Sequence, residues 1–259
     1  VRITLALARD AKQNADFYYS EGKRYREKAE KAKAALGDVE KRIAGMEKEG
    51  AKRKVKKAVL LKTIQKREWF WQFRHFYTGG GRLCIAGRNA DENEEIVKKH
   101  MEDKDLFFHA DIHGGAVAIL KDGTNADIRE RLECAVFAAS YSSAWELGYN
   151  EVDVFAARKE QITKTVSEGN LKKGGFGIEG EREWYKHTVL GLLIGKLNGA
   201  VSCSPWNLNP GFRKCAEIRP GGNMQKQQAV KRIMEMFSCA EEEASSLVPK
   251  GKITLRVKK

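Results

Sequence analysis

Residues 106–120 read LFFHADIHGGAVAIL. Leu106 to Ala110 and Ala116 to Leu120 are apolar runs of strand length, and between them stand Asp111, Ile112, His113, Gly114 and Gly115. Short apolar runs bounded by turn residues predict buried strands. Toward the C-terminus, a long amphipathic helix is expected over about Asp127 to Leu147, with Ile128, Leu132, Ala135, Val136, Ala139 and Ser143 near one face. Val152 to Ala156 alternates like a strand. Phe176 to Ile178 and Val189 to Leu197 are further strand candidates, the second apolar apart from its glycines and Lys196 and so expected to be central. Residues 198–222 hold three of the four prolines and read as irregular. Gln225 to Phe237 and Ala240 to Leu247 read as helices, and Ile253 to Val257 as a last strand.

Toward the N-terminus, Arg82 to Ala86 reads as a strand and Gly79, Gly80 and Gly81 as a flexible turn. Asn89 or Asp91 can cap a helix that runs to about Met101, with Glu92, Glu94 and Glu95 near its positive end. This mixed order of strands and helices predicts an α+β fold with a mainly antiparallel or mixed sheet.

The composition changes at Trp69. Trp69, Phe70, Trp71, Phe73, Phe76 and Tyr77 put six aromatics into nine residues. They cannot all be buried on one face, so Trp71, Phe73 and Phe76 are assigned to the core and Arg74 and His75 to the surface. Residues 10–75 contain no proline and are rich in Ala, Lys and Glu. Tyr25, Ala29, Ala32, Leu36, Val39, Ile43 and Met46 follow one another at gaps of 4, 3, 4, 3, 4 and 3, a coiled-coil spacing. With breakers at Gly45 and Gly50, these observations predict an antiparallel helical hairpin over residues 1–75, its tip near 45–54, whose first arm reaches ~50 Å. Lys52, Arg53, Lys54, Lys56 and Lys57 cluster by that tip.

Charge follows the same division. Residues 1–80 carry 21 Lys/Arg against 10 Asp/Glu, and residues 81–259 carry 27 against 25, within a chain of 259 residues and net charge +13. A concentrated basic element suits a polyanion, most often nucleic acid; a solvated charged helix is the plainer alternative. The 42% apolar content excludes a fully disordered chain, and no apolar run approaches the ~18 residues of a membrane span. Five cysteines with no C-x-x-C pair argue against a disulfide framework or a zinc ribbon and suit a reducing cytoplasm. Val1 and the missing signal-peptide pattern suggest a fragment of a longer protein.

Four groups of residues carry chemistry. Arg74 and His75 stand in the aromatic cluster, where rings can stack unpaired bases and cations meet phosphates. Gly87-Arg88-Asn89 lies at a strand-to-helix turn suited to phosphate; alternatively Arg88 pairs with Asp91 or Glu92. Lys98 and Lys99 extend that patch or are merely solvated. His109, Asp111 and His113 share one face if the strand continues through them. They then contact phosphate or ribose, hold the loop as a polar network, or bind a divalent metal as in a phosphoesterase. Lys164, Thr165, Lys172 and Lys173 form a last candidate phosphate contact, against a plain surface turn. Trp145 is assigned to the core. There is no G-x-x-x-x-G-K-[ST] phosphate loop and no G-x-S-x-G elbow. No cofactor or resident metal is expected.

Trp71 to Phe76 (WQFRHF), Leu83 to Ala90 (LCIAGRNA), Asn93-Glu94, Val97-Lys98-Lys99, Asp105 to Ala116 (DLFFHADIHGGA) and Lys121 occur in that order. Ser143-Ala144-Trp145 and the run Gln161 to Thr165 with Gly169, Leu171, Gly174, Phe176, Ile178 and Gly180 follow. Together they closely resemble the NFACT-R domain of the NEMF/FbpA/Caliban (NFACT) family, ribosome-associated quality-control factors. The resemblance covers about residues 3–200, and residues 200–259 look like a shorter, archaeal-type ending. It implies residues 1–75 as arms of the family's middle coiled coil and 76–259 as an RNA-binding domain with a short C-terminal extension. It further implies a non-enzymatic part of a factor that binds the stalled large ribosomal subunit with its peptidyl-tRNA and helps recruit tRNA for C-terminal tailing. The implied partners are rRNA, tRNA and, through the coiled coil, a stalk-base protein. The family's N-terminal domain and helix-hairpin-helix segment have no counterpart here. A metal-dependent nuclease using His109, Asp111 and His113, a coiled-coil protein-interaction module, and a homodimer through the arms stay open as alternatives.

Overall fold

A computed structural model describes residues 4–5, 10–30, 33, 68–163, 165–166, 169–170 and 174–258. The chain separates into two compact units, Val1–Arg67 and Glu68–Lys259. In the first, helix α1 spans 11–30. It opens with a reciprocal capping box: Gln13 N–H donates to Asp10 Oδ1 at 2.7 Å, and Asp10 N–H donates to Gln13 Oε1 at 3.1 Å. The expected hairpin tip, with Lys52, Arg53, Lys54, Lys56 and Lys57, lies outside the described residues.

The second unit is α+β. After a 3-10 turn at Trp69–Gln72 come β1 (Arg74–Tyr77), β2 (Leu83–Ala86), α2 (Ala90–Glu95) with a π-turn at Ile96–His100, β3 (Leu106–Ala110) and β4 (Val117–Leu120). Next are α3 (Ile128–Ser140), α4 (Ser143–Glu146), β5 (Glu151–Arg158) and the short pieces β6 (Ile162–Thr163), β7 (Thr165–Val166), β8 (Gly169–Asn170) and β9 (Gly177–Ile178). The chain closes with β10 (Glu183–Val189), β11 (Leu192–Leu197), β12 (Ala200–Pro205), β13 (Cys215–Met224), α5 (Lys226–Phe237), α6 (Glu241–Leu247) and β14 (Ile253–Lys258). Six strands pair in the order β1-β2-β4-β3-β5-β10 and four in the order β12-β11-β13-β14. Among the described residues, every pairing is antiparallel.

Strand alternation gives the larger sheet two buried faces. Phe76, Cys84, Ala86, Leu106, Phe108, Ala118, Leu120, Val154 and Ala156 point inward to α3. Ile85, Phe107, Val117, Ile119, Phe155 and Ala157 point outward and are covered by Phe70, Phe73, Ile96 and Met101. Burial of each such large apolar side chain contributes about 1.5–3 kcal/mol. Helix α3 packs on β3, β4, β5 and β10 and also on β12 of the second sheet. It is therefore buried on every side from Glu133 onward, rather than along one stripe. Ile128 and Leu132, expected on its core face, are exposed. The helix also stops at Ser140; Ser142 caps the separate α4, where Trp145 is fully buried as expected.

Other expectations change for identifiable reasons. Gly79–Gly81 do not form a flexible turn. Gly79 N–H donates to Glu133 Oε2 at 2.9 Å, Thr78 Oγ1 donates to Glu130 Oε1 at 2.5 Å, and Arg82 meets Glu130 Oε2 at 2.6 Å. Residues 198–222, expected to be irregular, contain β12 and most of β13. The three prolines are accommodated at a strand end (Pro205), in the loop between β12 and β13 (Pro210) and at a register shift (Pro220). The run Val189 to Leu197 is not one strand but divides at Leu190 and Gly191, where the chain leaves the first sheet for the second; β11 is central there. In the aromatic cluster Phe73 and Phe76 are core, but Trp71 is exposed and Phe70 takes the buried place.

Candidate nucleic-acid interface

The open ends of β1, β2 and β3 and the C-terminal end of α3 surround a cleft of about 600 Å³. Its polar wall is the β2–α2 turn, with Arg88, Asn89 and Asn93; its apolar wall is Phe107, Phe155 and Phe176. Arg74, Tyr141 and the loop His109–Ala116 complete it. Arg74, Arg88, Asn89, His109 and His113, far apart in sequence, thus line one cavity.

Arg74 does not stand on the surface as expected. Its guanidinium lies 4.1 Å from the centre of the Tyr141 ring and donates to the Gly87 and Ser246 carbonyls at 3.3 Å. Burial is the main force pulling its pKa down, opposed by Tyr141; an arginine so placed remains cationic at neutral pH. Arg88 takes the ion-pair alternative. Its Nη2 is 2.9 Å from Glu92 Oε1 and donates to the Gln72 carbonyl at 2.5 Å, while its own N–H donates to Glu92 Oε2 at 3.0 Å. The side chain stays 41% exposed, so the clamp fixes a cation at the cleft without hiding it. Asn89 is the N-cap of α2, its Oδ1 accepting from Glu92 N–H at 2.9 Å.

Strand β3 ends at Ala110, so Asp111 and His113 leave the strand that carries His109, although all three border one shallow hollow with Phe155, Phe176 and Arg182. Asp111 N–H turns away to Asp153 O at 2.8 Å, and Ile112 N–H closes a tight turn on Ala110 O at 2.7 Å. His109 is half-buried on the sheet's outer face, its ring nearly parallel to Phe107 with centroids 6.2 Å apart. Asp111 and His113 are exposed on the turn, and the His113 carbonyl accepts from Ser143 Oγ at 2.6 Å. The common face that a metal-dependent nuclease needed is not formed. Among the described residues, no group of three His, Cys, Asp or Glu is placed to hold a metal ion. Burial, the largest influence, depresses the His109 pKa below 6.5 against the opposing pull of hydrogen bonds at Ala110 and Gly115 and of Asp111. The ring is therefore neutral at pH 7, a stacking and hydrogen-bonding group rather than a charge.

The other candidates lie elsewhere. His75, expected exposed, is half-buried on the opposite side of β1 from Arg74, edge-on to Phe70 at 5.0 Å, with Nδ1 3.0 Å from Phe73 O. Lys98 and Lys99, on the π-turn, pair with Glu94 at 2.6 Å and Glu95 at 3.1 Å and do not line the cleft. Thr165 lies in β7, opposite Asn170. Lys164, Lys172 and Lys173 lie outside the described residues.

Sequence reasoning assigned no role to Asn93, Tyr141 or Phe176. Asn93 is 8% exposed, and its Oδ1 has no hydrogen-bond partner. The signal for it was Gly87: a Cβ there would fall 2.2 Å from Asn93 Oδ1, so only glycine leaves the amide its place. Gly174 has a similar purpose. With φ +79° and a would-be Cβ 2.6 Å from that of Ala90, it lets the loop carrying Phe176 close against the start of α2.

The cleft falls inside the part of the chain that comparison picks out. Residues 72–180 match the family model described as the NFACT protein RNA binding domain. The archaeal Rqc2 homolog aRqcH of Methanocaldococcus jannaschii is 36% identical over 200 residues, which is 73% of this chain and 30% of that protein. The ribosome quality control complex subunit NEMF homolog of Drosophila melanogaster is 29% identical over 74% of this chain and 20% of that protein. The human subunit NEMF is 31% identical over 68% and 16%. The chain thus spans less than a third of the length of these relatives. The matched stretch begins at Gln72, just before Arg74, and ends at Gly180, just after β9, so that it takes in every residue that lines the cleft, and on these grounds the chain belongs to the NFACT family.

Proposed function

We propose that this chain is an RNA-docking part of a ribosome-associated quality-control factor, acting by binding rather than by catalysis. The carrying observation is the cleft itself: Arg74, Arg88, Asn93 and His109 converge there, within the stretch matched by the family's RNA-binding domain. Two fixed cations beside a neutral aromatic wall suit a nucleic-acid strand, which presents phosphates and bases together. In the whole factor this surface serves a large ribosomal subunit that carries peptidyl-tRNA, in the cytoplasm, and supports tRNA recruitment for C-terminal tailing. The basic segment around Lys52–Lys57 supplies a further, sequence-independent rRNA contact. No helix of the described residues is long and apolar enough to cross a membrane.

Fluorescence anisotropy of the chain with tRNA, and with an RNA duplex of matched length, at two salt concentrations, tests this reading. Binding that weakens steeply with salt and favours tRNA is the expected result. Binding to neither RNA overturns it.

A further inference from the structure

The form of the cleft says what part of an RNA it can take. At about 600 Å³ it lies within the ~300–1,000 Å³ range of clefts that enclose one small ligand. A duplex keeps its bases paired and stacked and can offer such a cavity only its backbone. The cleft is not built for backbone alone. More of its wall is apolar than polar, and the apolar part is aromatic: Phe107 and His109 side by side in nearly parallel planes, with Phe176 edge-on to Phe107 at 5.7 Å. The Asn93 amide also lines the cleft, its Oδ1 lying beside Gly87, more than nine-tenths buried and with no partner within the protein. A buried amide oxygen without a partner is destabilising, and a ligand donor removes that penalty. A side-chain amide also carries donor and acceptor together, the pattern with which Asn reads a base edge. Arg88 is held in place by Glu92 and still exposed, as a phosphate anchor requires.

We propose that the cleft holds one unpaired nucleotide of an RNA strand, its base against His109 and Phe176, its edge read by Asn93 and its phosphate on Arg88. This rests on the RNA-binding reading above and narrows it from a charged surface to a single-nucleotide site. A free mononucleotide carries the same chemistry, so the two sources must be separated by experiment.

The test uses the whole chain and three ligands: a single-stranded tetranucleotide containing 2-aminopurine, the same sequence in a duplex, and AMP or GMP as competitor. The expected result is quenching of 2-aminopurine on binding of the single strand, with no quenching by the duplex. Asn93→Leu, close in volume, should weaken the single strand about tenfold and the duplex by a smaller factor. Mononucleotides should compete only weakly if a strand is the ligand; tight competition by AMP or GMP, with no gain from the strand, overturns the strand assignment. If Asn93→Leu fails to fold, the quenching and competition by the unaltered chain still decide. Salt-sensitive RNA binding without quenching overturns the nucleotide site while leaving the RNA-binding reading intact. Failure of every RNA to bind overturns both.

Discussion

The imidazole of His109 occupies the place where a side chain on Gly115 would begin: a Cβ there would lie 2.7 Å from Cε1 and 2.9 Å from Nε2 of the ring. The loop that leaves β3 thus folds back as bare backbone over a residue of that same strand. Gly115→Ala must push the ring or the loop aside. An overpacked site of this kind costs about 1–3 kcal/mol, read as a lower urea midpoint, together with weakened RNA binding. The double variant Gly115→Ala/His109→Ala should recover part of the stability, since the collision with the ring is gone and only the close approach to Ala110 O at 3.0 Å remains, but none of the binding. Equal instability of single and double variants would show that the strain lies in the loop and not in the ring.

Arg88 is predicted to contribute through charge. Arg88→Ala should weaken RNA of any sequence by roughly the same factor and reduce the salt slope of log affinity by about one. The slope, measured by anisotropy across a salt series, distinguishes this from a folding effect through the lost bond to Gln72 O. An unchanged slope with lower affinity would place Arg88 in the scaffold only.

The turn between β1 and β2 depends on a buried carboxylate. Glu130 joins the Thr78 hydroxyl, the Arg82 guanidinium at 2.6 Å and the Asp127 N–H at the start of α3. A Cβ on Gly80 would lie 2.3 Å from Glu130 Oε1. Glu130→Ala leaves Arg82 without this partner in a half-buried setting, an expected loss of about 2–3 kcal/mol, discounted because Arg82 is partly exposed. Gly80→Ala should cost less, about 1–2 kcal/mol, because one end of the collision is a side chain. Chemical unfolding ranks the two; a neutral Glu130→Ala would mean that the turn is held by its glycines alone.

Much of this fold was legible because the larger sheet obeys simple alternation. Leu106, Phe108 and Ala110 face one way and Phe107 and His109 the other, as strand geometry requires of any such run. What alternation could not show is where a strand stops. The turn residues after Ala110 did mark the end of this strand; what they do not announce is that Ile112 N–H closes on Ala110 O, which takes Asp111 and His113 off the strand face of His109. Helix α3 misled in another way: its N-terminal Ile128 and Leu132 suggest a stripe, yet it inserts between two sheets, and its small residues Ala135, Ala138 and Ala139 are what allow the approach. The cleft was half legible. Its cations and histidines stand out by residue type, whereas Asn93 is an ordinary helix residue until Gly87 is seen against it.

Burial of His109 also has a consequence for stability against acid. In the unfolded chain its imidazole titrates near 6.5; in the folded chain burial lowers that value. Between the two values the unfolded state binds more protons than the folded one, so stability rises with pH. The contribution is therefore fully present above about pH 6.5 and is lost as pH falls through the folded value. His75 and His100 are lowered by the same cause and act in the same direction. Urea midpoints at about pH 7.5 and about pH 5 should show the chain losing stability on acidification. His109→Gln, which cannot take up the proton, should lose measurably less across that interval, with the remainder due to His75, His100 and the carboxylates. A Cε1 proton resonance of His109 that titrates at or above 6.5 would contradict the neutral, stacking ring on which the cleft's aromatic wall depends.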